Sequence, residues 1–446
     1  MSDAVRTSPA TGDAPLTLAE RPDRTLGLRD ALGLWGNLGV SLLLPVAAVF
    51  VVLPGRPLAE TLGAVVVGAA IGALLLGIGA AAGAREGVPA MVLLRGLLGR
   101  RTSWLPTAFN LVQCVGWATF EIVIIAEAAS RVLDVPRWPF VLGAGVLATL
   151  MALRPLGVVR VLARYAIWAA VVAIGYLYVE VLAEGLPELT AGAATSFWTA
   201  ADIVIALPIS FFPLAADYTR HVRSGRAAFA GASIGYGLAT IVMFTLGVLA
   251  LAAYGSAGLD VVDALLAVPL GAVAVLVLVA VELDEAFANL YSTAVSAQNV
   301  VPRADRRMLA VVVGTVATVL ALTFDIAAYE PFLFLIGAVF VPLVGVFGVA
   351  YALTPRGAWD TSDTAPARPA FLLPWAAGFV AYQLTLPTYF GGPGSGWTAW
   401  WTARQADLGI DPANGWSASL ISLAVAATLT ALLCLPAALR RRRVAR

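Results

Sequence analysis

Glu282, Asp284, Glu285 and Asn289 fall within twelve residues, Val281 to Ser292, directly after a run of Leu, Val, Ala and Gly from about Leu265 to Ala280. A bilayer core takes roughly 20 helical residues, so these polar groups sit at membrane depth. One carboxylate at the centre of a spanning helix costs about 2.5–3.5 kcal/mol on insertion scales, and three cost about 8–10 kcal/mol. No helix carries that facing lipid. Acids in such a place line a substrate or ion path. Burial also favours protonation of some of them, which keeps proton coupling open.

A second polar face lies upstream. Asn110, Gln113, Trp117 and Glu121 are spaced by three, four and four, so they share one side of a helix. Gly116 lets another group approach the backbone next to Trp117. An aromatic one turn from a buried acid can stack on a planar ring while the acid pairs with its edge. Glu285, Asn289, Ser292 and Ser296 form the matching face on the later helix, and Glu282 joins it. Asp284 is turned about 100° from Glu285 and addresses a different neighbour. The two faces suit two ligands, a substrate and a cation.

The elements that position these residues follow from composition. The chain has 446 residues, 60% of them hydrophobic and 12% charged, with a mean hydropathy of +0.88. That composition excludes a soluble domain and implies an all-α polytopic membrane protein. All 28 basic residues are arginine. Two cysteines, Cys114 and Cys434, lie in apolar stretches, so neither a disulfide framework nor a thiolate metal site is expected. The single His221 reads as a solvated loop residue. No cofactor and no nucleic-acid partner is expected; the partners are a small molecule and the lipid bilayer.

Hydropathy marks about twelve spans, with cores near 31–53, 61–84, 104–129, 138–153, 162–184, 198–217, 228–254, 265–299, 308–324, 330–354, 370–389 and 416–438. Arginines cluster in alternate links: 85–101, 154–160, 220–226, 303–307 and 356–368, with Arg440 to Arg443 at the end. Arg131, Arg137 and Arg404 break the pattern. The positive-inside rule puts both termini in the cytoplasm of a cell whose inner membrane the chain crosses. Residues 1–25 read as a disordered cytoplasmic tail, 390–415 as an external loop and 440–446 as a basic cytoplasmic tail.

Two spans are poor continuous helices. The first contains Gly36, Asn37, Gly39 and Ser41; the sixth contains Pro208 and Pro213 around Phe211 and Phe212. Glycine is costly in a helix and proline removes a donor. Interrupted helices at matching places in two five-helix halves would mark an inverted-repeat transporter, whose freed backbone groups could hold substrate and ion; the alternative is the ordinary glycine and proline of membrane helices.

The stretches Leu34 to Ser41, Gly116–Trp117, Pro208 to Arg220 and Ala288 to Ser296 together resemble the nucleobase–cation symporters: cytosine, purine, hydantoin and hydroxymethylpyrimidine permeases. The span of Pro208 to Arg220 is similar to the hydroxymethylpyrimidine branch. The resemblance runs from about residue 26 to 355 and implies a core of two inverted five-helix repeats, with discontinuous helices one and six. Residues 356–439 then supply two further helices. It implies that Trp117 stacks on the substrate, with Phe211 or Phe212 as the second aromatic. Asn289 matches the substrate-binding Asn, and Glu121 falls where the family often has Gln. Glu285 and Gly116 complete the expected substrate set. Gly36, Asn37, Gly39, Ser41 and Asp284 form the expected coupling set. Sodium-coupled members have two hydroxyl residues where this chain has Leu283 and Asp284. Either Asp284 binds sodium as a metal ligand, or it takes a proton.

The function implied is secondary active import of a planar N-heterocycle coupled to H+ or Na+. An amino-acid permease of the same architecture is the alternative. An intramembrane enzyme finds no support, since the chain lacks zinc, aspartyl-protease and Ser/His signatures.

Overall fold

The computed structural model describes residues 18, 23–154, 167–185, 189, 192–254, 260–390, 394–411, 413 and 415–444, with side chains to 435. Most of the N-terminal tail, Arg160, part of the 185–191 and 254–260 links and the last two residues lie outside them, as do the side chains of the final basic tail. The described residues form helices and turns without a strand; a lone bridge pairs Leu26 with Val222.

The first hydropathy segment is a bent pair, α1 (Leu28–Leu38) and α2 (Leu43–Val51), meeting at 48°. α1 stops at Gly39, whose N–H bonds back to Asn37 and Trp35 carbonyls. Ser41 Oγ then accepts from Leu43 N at 3.1 Å, restarting the helix. Then come α3 (Leu58–Glu86), α4 (Trp104–Leu133), α5 (Trp138–Leu153) and α6 (Ile167–Ala183). The sixth segment is again broken. α7 (Phe197–Ser210) carries Pro208 inside, gives way to a tight turn at Phe212–Leu214, and resumes as α8 (Ala215–Thr219). α9 (Gly225–Tyr254) passes through a widened π turn over Gly231–Tyr236. α10 (Val261–Ala267) is short, and α11 (Gly271–Ala297) holds the acids. α12 (Arg306–Ala321), α13 (Tyr329–Leu353), α14 (Leu372–Thr385), α15 (Ser395–Asp407) and α16 (Ala418–Val444) follow.

Each hydropathy segment thus meets a helix. Among the described residues six helical segments are long and apolar enough to cross a membrane, and the bent pair brings the number to seven. α5 and α6 are apolar but shorter. α11, at 27 residues, is long enough, but it carries the three acids Glu282, Asp284 and Glu285.

α4 and α11 pack side by side, α3 lies along α7, and α13 lies along α16. α1 runs against the π turn of α9, where only glycine fits: a Cβ on Gly235 would lie 2.8 Å from Leu32 O and 3.0 Å from Gly36 N. Gly39 adds to this contact as well as to the break, since a Cβ there would lie 2.7 Å from Ala239 Cβ. Asp202 of α7 caps α16, accepting from Ser417 Oγ at 2.6 Å and Ala418 N at 2.7 Å. That ties the C-terminal helices to the broken sixth segment.

Two expectations are corrected. The stretch 390–415 is not all loop, because α15 forms there and its Trp397 and Trp401 rings lie against Phe379 of α14. His221 is not solvated; it is 5% exposed, and its Nδ1 lies 3.2 Å from Asp23 O. The chain entering α1 pairs with this turn through Leu26 N to His221 O and Arg223 N to Leu26 O. Burial, reinforced by the neighbouring Arg220, lowers the His221 pKa to about 3.

Candidate functional site

The breaks at 39–42 and 211–214 converge on α4 and α11. The first is bound to α11 by two carboxyls. Asn37 Nδ2 donates to Asp284 Oδ2. Ser41 Oγ donates to Glu282 Oε1 at 2.8 Å, and Leu42 N donates to Glu282 Oε2 at 2.5 Å. Glu282 therefore caps α2 across a helix interface, satisfying donors that the break exposes. This corrects the face assigned from spacing. Glu282 faces the first break with Asp284 rather than joining Glu285 and Asn289. Spacing alone could not show it, since the face of α11 is wide enough to reach both α1 and α4.

The residues expected to bind substrate include a pair that meets between α4 and α11. Asn289 Nδ2 donates to Glu121 Oε1 at 2.8 Å and to Glu285 O at 3.3 Å. Glu121, Glu285 and Asn289 are each 2% exposed. Trp117, one turn before Glu121, lies edge-on to Phe332 and Tyr329 at centroid distances of 5.3 and 5.8 Å. The Tyr329 hydroxyl reaches Leu43 O of α2 at 3.4 Å, so one side chain touches both Trp117 and the first break. Gly116 is taken up by packing: a Cβ there would lie 2.7 Å from the Phe332 ring. Its closeness serves Phe332, which the sequence reading did not foresee.

The two phenylalanines of the second break part company. Phe211 lies against Trp35 at 6.1 Å and Tyr236 at 4.9 Å. Phe212 turns away toward Phe347 at 5.5 Å and the glycine surface of α3 at Gly79. Phe211 thus faces α1 and α9, whereas Phe212 faces α3 and α13.

A polar chain missed as a unit runs beneath. Asn110 Nδ2 donates to Ser296 Oγ at 2.8 Å, and Gln113 Nε2 donates to Asn110 Oδ1 and to Ser210 O, both at 2.8 Å. Ser210 O is a carbonyl freed where α7 ends, so Gln113 ties α4 to the second break. Tyr218 Oη donates to Ala288 O at 2.9 Å, tying α8 to α11.

Among the described residues the four acids, Glu121, Glu282, Asp284 and Glu285, have no cationic partner. The ion pairs among the described residues involve none of them. The basic charge gathers elsewhere: a cavity of about 830 Å³ is lined by Arg24, Arg95, Arg220 and Arg303, past the ends of α8 and α11. Four buried acids without a cation can hold protons, bind a cation, or receive N–H donors from a ligand.

Residues 20–368 match the family model described as permease for cytosine/purines, uracil, thiamine, allantoin. Cytosine permease of Escherichia coli strain K12 is 28% identical over 307 residues, which is 64% of this chain and 70% of the permease. The fold is similar to that of Mhp1, a nucleobase-cation-symport-1 family transporter, in a closed conformation with bromovinylhydantoin bound. The TM-score is 0.69 at 16% identity, covering 94% of this chain and 99% of that one. The inward-facing conformation of Mhp1 gives 0.65 at 18% identity, covering 94% and 96%. A manganese transporter of Eremococcus coleocola gives 0.59 at 12% identity, covering 98% and 99%, so the architecture by itself does not choose a substrate. The match over most of the chain places it in the family of cytosine and purine permeases, the nucleobase–cation symporters.

Proposed function

We propose that this permease imports a planar N-heterocycle of the cytosine, purine or hydroxymethylpyrimidine kind by alternating access, driven by protons. One observation carries the reading: Asn289 and Glu121 bond across the α4–α11 interface one turn from Trp117, each with an oxygen lacking a partner. A flat ring lying on Trp117 would meet those oxygens with its edge. Phe211 is the second aromatic, since Phe212 is committed to packing on α3 and α13.

Asp284 is the coupling group. It joins the first break through Asn37, and its Oδ1 has no partner. A charged carboxylate there needs neutralising, by sodium or by a proton. The proton is the better fit, because the adjacent Leu283 offers no oxygen and packs among apolar side chains. Neutralisation would draw α11 and the break together and set the position of Trp117 through Tyr329, which is the linkage that coupling requires.

Both termini are cytoplasmic in this proposal, and the chain sits in the inner membrane. Ser395→Cys, at the exposed start of α15, then reacts with an impermeant thiol reagent from outside; labelling only after permeabilisation would reverse that topology. Uptake of labelled cytosine, adenine and hydroxymethylpyrimidine into cells expressing the chain tests the transport reading. Accumulation of at least one above control cells is expected, and accumulation of none would refute it.

A further inference from the structure

We propose that the arginine-lined cavity past the ends of α8 and α11 binds a phosphate-bearing anion. It lies apart from the heterocycle site and does not depend on that reading. Arg24, Arg95, Arg220 and Arg303 line it against two acids, Glu86 and Asp363, leaving a surplus of two positive charges. Its volume of about 830 Å³ is larger than a bare phosphate needs and falls within the range of about 300–1,000 Å³ usual for ligand pockets.

Local contacts sort these charges. Arg95 is committed: its Nη1 donates to Asp363 Oδ1 at 2.5 Å and its Nε to Asn299 Oδ1 at 2.7 Å. Glu86 Oε1 accepts from the Tyr351 hydroxyl at 2.7 Å. Arg24 lies on the backbone of Gly87, where φ is +69° and a Cβ would come within 2.3 Å of its Nη2. Arg24 and Arg303 are exposed, and neither joins an ion pair among the described residues. Arg220 differs, being only 3% exposed. Its Nη2 donates to the Tyr291 hydroxyl at 3.1 Å, and its Nε has no partner among the described residues. Asp217, three residues earlier, accepts instead from Ala90 N at 2.9 Å.

A hydroxyl does not neutralise a buried guanidinium, and a buried charge is costly without a counter-charge. An oxyanion supplies one, and the arginine fork matches phosphate oxygens two at a time. Arg220 forms the buried floor of the site, with Arg24 and Arg303 at its open rim. Three arginines on three separate chain segments suit a multiply charged, tetrahedral group better than a planar, singly charged carboxylate. The bound anion would join the segment entering α1, the end of α8 and the link after α11. Two sources present this chemistry, a soluble phosphate and the headgroup of an anionic lipid.

The test uses purified full-length protein in nanodiscs, with melting temperature as the readout. In one arm, phosphatidylcholine nanodiscs are titrated with inorganic phosphate at an ionic strength held constant with chloride. In the other, phosphatidylglycerol is added to the nanodiscs and phosphate is left out. The wild type should melt higher in at least one arm. A rise with inorganic phosphate identifies a soluble ligand, and a rise with phosphatidylglycerol alone identifies a lipid headgroup. Arg220→Gln and Arg303→Gln should each weaken apparent phosphate affinity about tenfold, the loss of one charge-assisted contact, or remove the phosphatidylglycerol rise. Arg356→Gln, an exposed arginine outside the cavity, should keep the wild-type response. Arg303 is exposed, so its variant decides the matter even where Arg220→Gln fails to fold. No rise in either arm for the wild type would overturn the proposal. So would responses of Arg220→Gln and Arg303→Gln equal to that of Arg356→Gln.

Discussion

At the first break, between α1 and α2, the backbone is held by acids: Glu282 takes Ser41 and Leu42, and Asp284 takes Asn37. At the second, between α7 and α8, the contacts at the turn itself are neutral, and the acid of α8, Asp217, accepts from Ala90 N at 2.9 Å. Gln113 holds Ser210 O, Phe211 lies between Trp35 and Tyr236, and Tyr218 holds Ala288 O. Both breaks end on α11, but the chemistry of each predicts a different ligand. A junction held by carboxylates responds to a proton or an ion. A junction lined by rings and amides responds to a flat molecule. On the proposed function, coupling would consist of one helix, α11, reporting the state of one break to the other, with Tyr329 as a second link.

The largest effect that would sharpen this contrast is at Asp284. Asp284→Asn should abolish accumulation against a gradient while keeping substrate exchange, because the amide mimics the neutral acid. Counterflow in proteoliposomes separates the two, and full accumulation by this variant would remove Asp284 from coupling. Next is Trp117→Ala, which should weaken heterocycle binding by one to two decades, since a base–aromatic stack is worth roughly 1–3 kcal/mol. Trp117→Phe should keep part of it; unchanged binding in the alanine variant would return Trp117 to packing.

Glu282→Ala comes third. It leaves the Ser41 hydroxyl and the Leu42 N–H without acceptors, at about 1–3 kcal/mol, and should lower the melting temperature more than Glu282→Gln does. Equal melting of the two variants would show that the break does not depend on this cap. The two phenylalanines divide the second break: Phe211→Leu should raise Kd by a few-fold with little change in melting, and Phe212→Leu should do the reverse. Matching effects of both would erase the division drawn between them.

The smallest effect lies at the N-terminal entry to α1. Folded His221 has its pKa lowered from 6.5 to about 3, by burial first and Arg220 second. Between these values the unfolded chain binds a proton that the folded one does not. The pairing of Leu26 with His221 and Arg223 is therefore fully stable above pH 6.5 and weakens as pH falls toward 3. Hydrogen exchange of the Leu26 and Arg223 amides should show it, and His221→Gln should remove the pH dependence.

Much of the site was legible because its signals are local. Three-and-four spacing put Asn110, Gln113, Trp117 and Glu121 on one face, and they do share it. Gly36 to Ser41 and the two prolines marked the breaks, because glycine and proline act on their own backbone. What escaped depends on partners far along the chain. Glu282 is turned toward the coupling side by Ser41 and Leu42, 241 and 240 residues away. Asp202 caps a helix beginning 216 residues later. His221 is polar and flanked by arginines, yet is covered by the chain near Asp23. The helix α15 hid among glycines, because its tryptophans gain stability only by packing on α14.

The ion dependence of the first break bears most directly on the whole account. Purified protein in proteoliposomes is given an inward proton gradient or an inward sodium gradient, and accumulation of labelled substrate is followed. The account predicts accumulation with protons that rises as external pH falls and is indifferent to replacing sodium with choline. Accumulation that requires sodium and ignores the proton gradient would contradict it.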